Sequence, residues 1–257
     1  MVILFSGLFW PYPASSASLP PVTFRAALEL WTFVASPSET DLFQDITFLP
    51  VTGDHAPLAR YTPSDSPTIE IGQNMRRYKK EYIYLSSYQD MSAKPDFDQY
   101  MTVLMTLSLA NESAHYLQDQ NGSLKDFYQF YRSGQLNNAC ALYALQQHVS
   151  DIAMLKIGLN MERLFLGKGS VKGINALRIV LEKNDLRDEF EDFRNAMNSH
   201  NTAALDDILH RIRGKRNEAN MSGLTFCPPY GDAILPTDIV NRATEPAGYP
   251  FAGHKDD

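Results

Sequence analysis

Proline is missing from the middle of this chain. Of the 15 prolines in 257 residues, ten lie at or before Pro95 and five at or after Pro228, so Asp96 to Cys227 contains none. Proline removes a backbone donor and clashes with the preceding turn, so this absence predicts a helical body between irregular flanks. Cysteine is equally scarce: Cys140 and Cys227 are the only two, which excludes a disulfide-dense scaffold. Positive charge is in deficit. With 23 Lys and Arg against 30 Asp and Glu, the formal net charge is −7, which disfavours nonspecific attraction to phosphate backbones or anionic lipid. The basic runs Arg76, Arg77, Lys79, Lys80 and His210, Arg211, Arg213, Lys215, Arg216 read as solvated faces, and no nucleic-acid partner is expected. There is no Gly-x-Ser-x-Gly elbow and no phosphate-binding glycine loop. What remains is an ordinary globular composition, 44% apolar, 21% charged and 11% aromatic.

Residues 1–18 carry no charge; they open with Val2-Ile3-Leu4-Phe5 and close with Ala14-Ser15-Ser16-Ala17-Ser18. An apolar run followed by small residues predicts a secretory signal cut near Ala17, although the basic n-region is missing. Export to a periplasmic or extracellular space follows from that reading. A buried N-terminal strand in a cytoplasmic protein is the alternative. No other segment is apolar enough to span a bilayer, since the uncharged stretch Ser133–Ser150 includes Asn137, Asn138, Gln146 and Gln147. The mature chain is therefore expected to lack a transmembrane segment. Residues 19–224 form the expected single domain and 225–257 an irregular tail. Cys140, between Ala139 and Ala141, has the surroundings of a buried free thiol; whether it meets Cys227 is open at this stage.

Along the chain, Phe24–Ala35 is patterned as a short amphipathic helix. Phe43–Val51, Thr68–Ile71 and Glu81–Ser87 have strand composition and suggest a small partial sheet. Long helices follow at Asp96–Asp119, Leu124–Arg132 and Leu136–Leu166, then shorter ones at Gly173–Lys183, Leu186–Asn198 and Ala203–Arg213. The fold class is mainly α (α+β), with the small sheet N-terminal to the longest helices.

Polar chemistry concentrates on two of these helices. Asn111, Glu112 and His115 stand in Ala110-Asn111-Glu112-Ser113-Ala114-His115-Tyr116-Leu117-Gln118; residues four apart share a helix face, so Asn111 and His115 project together. The passage resembles the His-Glu-x-x-His-x-x-Gln helix of the bacterial neutral zinc metallopeptidases, matching it at Glu112, His115 and Gln118, with Asn111 in place of the first His. In Gln147-His148-Val149-Ser150-Asp151, Asp151 matches the Asp of that family's later Glu-x-x-Ala-Asp type motif, which places Gln147 where the ligand Glu would stand. The resemblance covers about residues 81–160. It implies a zincin-like helical body, zinc as cofactor, a peptide or protein substrate, and Glu112 as the base acting on a zinc-bound water. It also implies degraded ligand positions at Asn111 and Gln147, and so either a degenerate metallopeptidase or a pseudoenzyme.

Three other readings compete. A rearranged set of His115, His148 and Asp151 is chemically adequate for zinc, but helix register turns a neighbouring residue by about a hundred degrees. A buried hydrogen-bonded cluster tying two core helices needs no metal at all. Glu112-x-x-His115 taken as half of a di-iron bundle lacks its second Glu-x-x-His. The functional expectation is a secreted zinc metallopeptidase-like protein for peptide-bond hydrolysis, either a degenerate enzyme or a pseudoenzyme; the alternative is a non-catalytic exported binding or scaffold protein on the same frame.

Overall fold

A computed structural model describes residues 22–53, 56–73, 75–86, 93–201, 203–205, 207, 208, 211 and 235–247. The expected signal segment and Cys227 lie outside them. Two apolar helices form the centre: α4 (Phe97–Gln120) and α6 (Leu136–Gly167) pack on each other, with α1 (Val22–Val34) and α7 (Val171–Lys183) against α4. Asp96 starts α4 by accepting from the Gln99 N–H at 2.8 Å, which satisfies one of the orphan donors of the first turn. The helix ends at Asn121-Gly122, where Gly122 has φ +85°, a left-handed conformation that glycine adopts without strain. Tyr100, Met101, Met105, Leu107 and Leu109 on α4 are wholly buried. Each such side chain contributes roughly 1.5–3 kcal/mol by leaving water.

The sheet is three-stranded in the order β1 (Thr47–Val51), β3 (Thr68–Gly72), β2 (Ala59–Thr62), with β1 parallel and β2 antiparallel to β3. An aromatic chain holds it to α1: Trp31 meets Phe43 at 4.8 Å between ring centroids, Phe43 meets Phe48 at 5.5 Å, and Phe48 meets Phe24 at 5.0 Å. At Gly72 a Cβ would stand 2.2 Å from the Pro57 carbonyl oxygen, so the close approach of the β2 lead-in to β3 requires glycine there. The outer edge of β2 lies along α4.

The expected mainly α architecture with a small sheet before the long helices is what the chain adopts. One expected strand is not a strand. Glu81 to Ser86 belong to α3 (Arg76–Ser86). Tyr78 and Tyr82, four apart, are both buried, and Arg77 pairs with Glu81 at 2.9 Å one turn along; helical spacing therefore overrides the strand propensity of the tyrosines. The third strand is instead β2, with Arg60 at its centre and paired to Glu70 across the ladder. Further on, α5 (Ser123–Arg132), α7 and α8 (Arg187–Ser199) follow the expected spans, and residues 203–205, 207, 208 and 211 are helical.

Within the tail, α9 (Thr237–Thr244) is helical and packs on α5 and α6. Ala243, Ile239 and Val240 close over Leu142 and Leu145, and Arg242 pairs with Asp126 at 2.8 Å. Cys140 is 6% exposed and disulfide-bonded, which corrects the expectation of a free thiol. Among the described residues no helix is long and apolar enough to cross a membrane.

Candidate functional site

On α4, Ser108, Asn111, Glu112, His115 and Asp119 are partly exposed, whereas Ala110, Ser113, Ala114, Tyr116 and Gln118 around them are buried. The spacing of three and four makes them one stripe of the helix, a shallow opening in an otherwise covered element. Gln147 on α6 is likewise half-buried between the buried Gln146 and His148. Asn111 and His115 face α6 from one stripe and Gln147 faces α4 from the other, with the outer edge of β2 along α4.

His115 is held at both ring nitrogens. Its Nδ1 lies 2.9 Å from Gln118 Oε1, an acceptor, so Nδ1 carries the hydrogen and Nε2 presents its lone pair. That lone pair accepts from the Gln147 side-chain amide at 3.2 Å, with the Ser150 hydroxyl oxygen 3.3 Å away. Burial lowers the imidazole's affinity for a proton, opposed by its bond to Gln118, so His115 favours the neutral form. The network continues inward: Gln118 Nε2 donates to the Gln146 carbonyl at 3.0 Å, Ser150 donates to the same oxygen at 3.1 Å, and Gln146 Nε2 donates to the Ser123 carbonyl at 2.9 Å. A polar cord thus joins α4, α6 and the first turn of α5 through groups that would be costly to bury unpaired.

Glu112 turns the other way. Its Oε2 accepts the backbone N–H of Tyr61 on β2 at 2.7 Å. Burial pushes its carboxyl up to about 7, opposed by the Tyr61 N–H and the nearby Arg60 charge. Tyr61 is tied to α4 a second time, donating from its hydroxyl to Asp119 at 2.6 Å and packing edge-on against Tyr116 at 5.9 Å. Asn111 Nδ2 approaches Met154 Sδ at 3.8 Å, a weak contact that keeps the amide on the α6 side.

The structure therefore brings His115 to Gln147, with Asn111 one turn away on the same stripe. His148 and Asp151 are buried on α6, at 6% and 0% exposure, one position round from Gln147 and Ser150. Among the described residues no three His, Cys, Asp or Glu side chains are grouped to hold a metal ion. Zinc draws on exactly those residue types. The groups around His115 Nε2 are a carboxamide and a hydroxyl, so the donor set does not fit the ion. Sequence reasoning missed Ser150, Gln146 and Tyr61. Ser150 was findable, being three residues from Gln147 on one face, whereas the Tyr61 contact is a backbone N–H and leaves no mark in residue type.

The chain matches no family model, no curated protein and no solved structure.

Proposed function

We propose that this is a non-catalytic, exported peptide-binding protein, built on a zincin-like frame whose metal position has become a hydrogen-bonded node. The observation that carries the reading is the engagement of His115 Nε2 by the Gln147 side-chain amide. The lone pair a metal would need is already used, and among the described residues no three His, Cys, Asp or Glu side chains are grouped to hold an ion. The polar groups around His115 suit peptide recognition. Asn111 and Gln147 carry amides that both donate and accept, as a peptide backbone does. Export is supported by the uncharged segment 1–18 and by the disulfide at Cys140, which persists in oxidising compartments.

A second reading, an active zinc peptidase, is favoured by one observation: Asn111, His115 and Gln147 converge from two helices at the positions that the peptidase resemblance assigns to ligands. Incubating the purified chain with fluorescent extended peptides separates the two. The proposal predicts a rise in anisotropy, weakened by Gln147→Leu, with the peptide recovered intact. Zinc-dependent cleavage abolished by Glu112→Gln would instead establish the peptidase.

A further inference from the structure

Between the end of β2 and α5 lies an open groove of about 750 Å3. Its walls are Pro63 and Asp119 on one side and Lys125, Tyr128, Gln129 and Arg132 on the other. A chain of hydrogen bonds links its wall to the candidate site: Asp119 accepts the Tyr61 hydroxyl, and the Tyr61 N–H meets Glu112. The charges of α5 are divided between two faces. Its acid, Asp126, is taken by Arg242 of α9, whereas Lys125 and Arg132 face the groove, are exposed, and have no carboxylate partner among the described residues. Tyr128, between them on the same helical face, is 44% exposed. Two unpaired cations flanking an aromatic ring, in a chain of net charge −7, form a local cationic site against the overall field. The groove's own acid, Asp119, is occupied by the Tyr61 hydroxyl.

We propose that this groove is an acid-selective subsite of the peptide-binding site, in which Lys125 and Arg132 hold acidic side chains of an extended peptide and Tyr128 supports its stem. The inference rests on the peptide-binding reading and names its ligand class. Seven residues of helix separate the two cations by roughly 10 Å, the span of about three residues of extended chain. The matching peptide therefore carries two acids with two residues between them.

The test uses the full chain and a fluorescein-labelled peptide with two glutamates so spaced, beside its glutamine isostere. The glutamate peptide is expected to bind about tenfold more tightly at low salt, with the advantage lost at high salt and in Lys125→Glu/Arg132→Glu. Equal binding of the two peptides, or an advantage that survives the charge reversal, overturns the subsite. So does displacement of the glutamate peptide from the wild-type chain by a sulfated oligosaccharide but not by unlabelled glutamate peptide. If the isostere binds and Gln147→Leu weakens it while no acid preference exists, the subsite fails and the peptide-binding reading stands. If neither peptide binds, that reading fails and the subsite with it.

Discussion

Glu112→Gln should stabilise this protein above neutral pH, although it removes the residue with the strongest catalytic look. The wild-type carboxyl is raised from 4.5 to about 7 in the fold, by burial first. A carboxyl that holds its proton more tightly folded than unfolded binds more protons in the native state between those values. Stability therefore falls as pH rises through that window and is at its lowest above 7. A displacement from 4.5 to about 7 corresponds to roughly 3 kcal/mol, and partial exposure of the carboxyl reduces this to about 2 kcal/mol. Glutamine keeps an oxygen to accept the Tyr61 N–H and carries no charge to desolvate. Urea unfolding of both proteins at pH 5, 6, 7 and 8 reads the difference directly. The expected result is an advantage for the variant of about 0.5 kcal/mol at pH 5 that grows to about 2 kcal/mol at pH 8. A pH-independent difference, or a variant less stable at pH 8, would refute the burial argument and return Glu112 to an ordinary solvated carboxylate.

Other parts of the account make their own demands. Gln118→Met removes the acceptor for His115 Nδ1 and one donor to the Gln146 carbonyl, and is expected to cost about 1–3 kcal/mol in urea midpoint analysis because the imidazole N–H loses its partner; no measurable cost would mean the cord does not tie the helices. Gly72→Ala forces a Cβ to 2.2 Å from the Pro57 carbonyl oxygen, so thermal unfolding should show a loss of about 1–3 kcal/mol, and an unchanged melting temperature would contradict the close approach. Reduction, or Cys140→Ser, should lower stability by roughly 2–5 kcal/mol, visible as a melting temperature that depends on dithiothreitol in the wild type alone.

The long helices were readable because one signal, sustained apolar composition without proline, dominates each of them, and α4, α5 and α6 follow their expected spans within a residue or two. Strands were harder. Tyr82 and Tyr84 alternate as in a strand, yet Tyr78 and Tyr82 also recur at helical spacing, and burial of that pair against α4 decides for the helix. β2 escaped notice since four residues centred on an arginine offer almost no period to detect. At the site, Asn111, Glu112, His115 and Gln147 were legible from spacing on two helices. The partners that define their chemistry were not, because the Tyr61 N–H and the Gln146 carbonyl belong to the backbone. Within the segment expected to be irregular, α9 is short, and its packing on Leu142 and Leu145 explains a helix that composition does not announce.

In the proposed node, His115 spends its lone pair on the Gln147 amide rather than on a metal. Metal analysis of the full chain, purified after growth in excess zinc, tests it directly. The account predicts far less than one zinc per chain in the wild type, unchanged by His115→Ala, and a gain of stoichiometric zinc in Asn111→His/Gln147→Glu, which restores an imidazole and a carboxylate beside His115. One zinc per wild-type chain, lost in His115→Ala, would contradict the account.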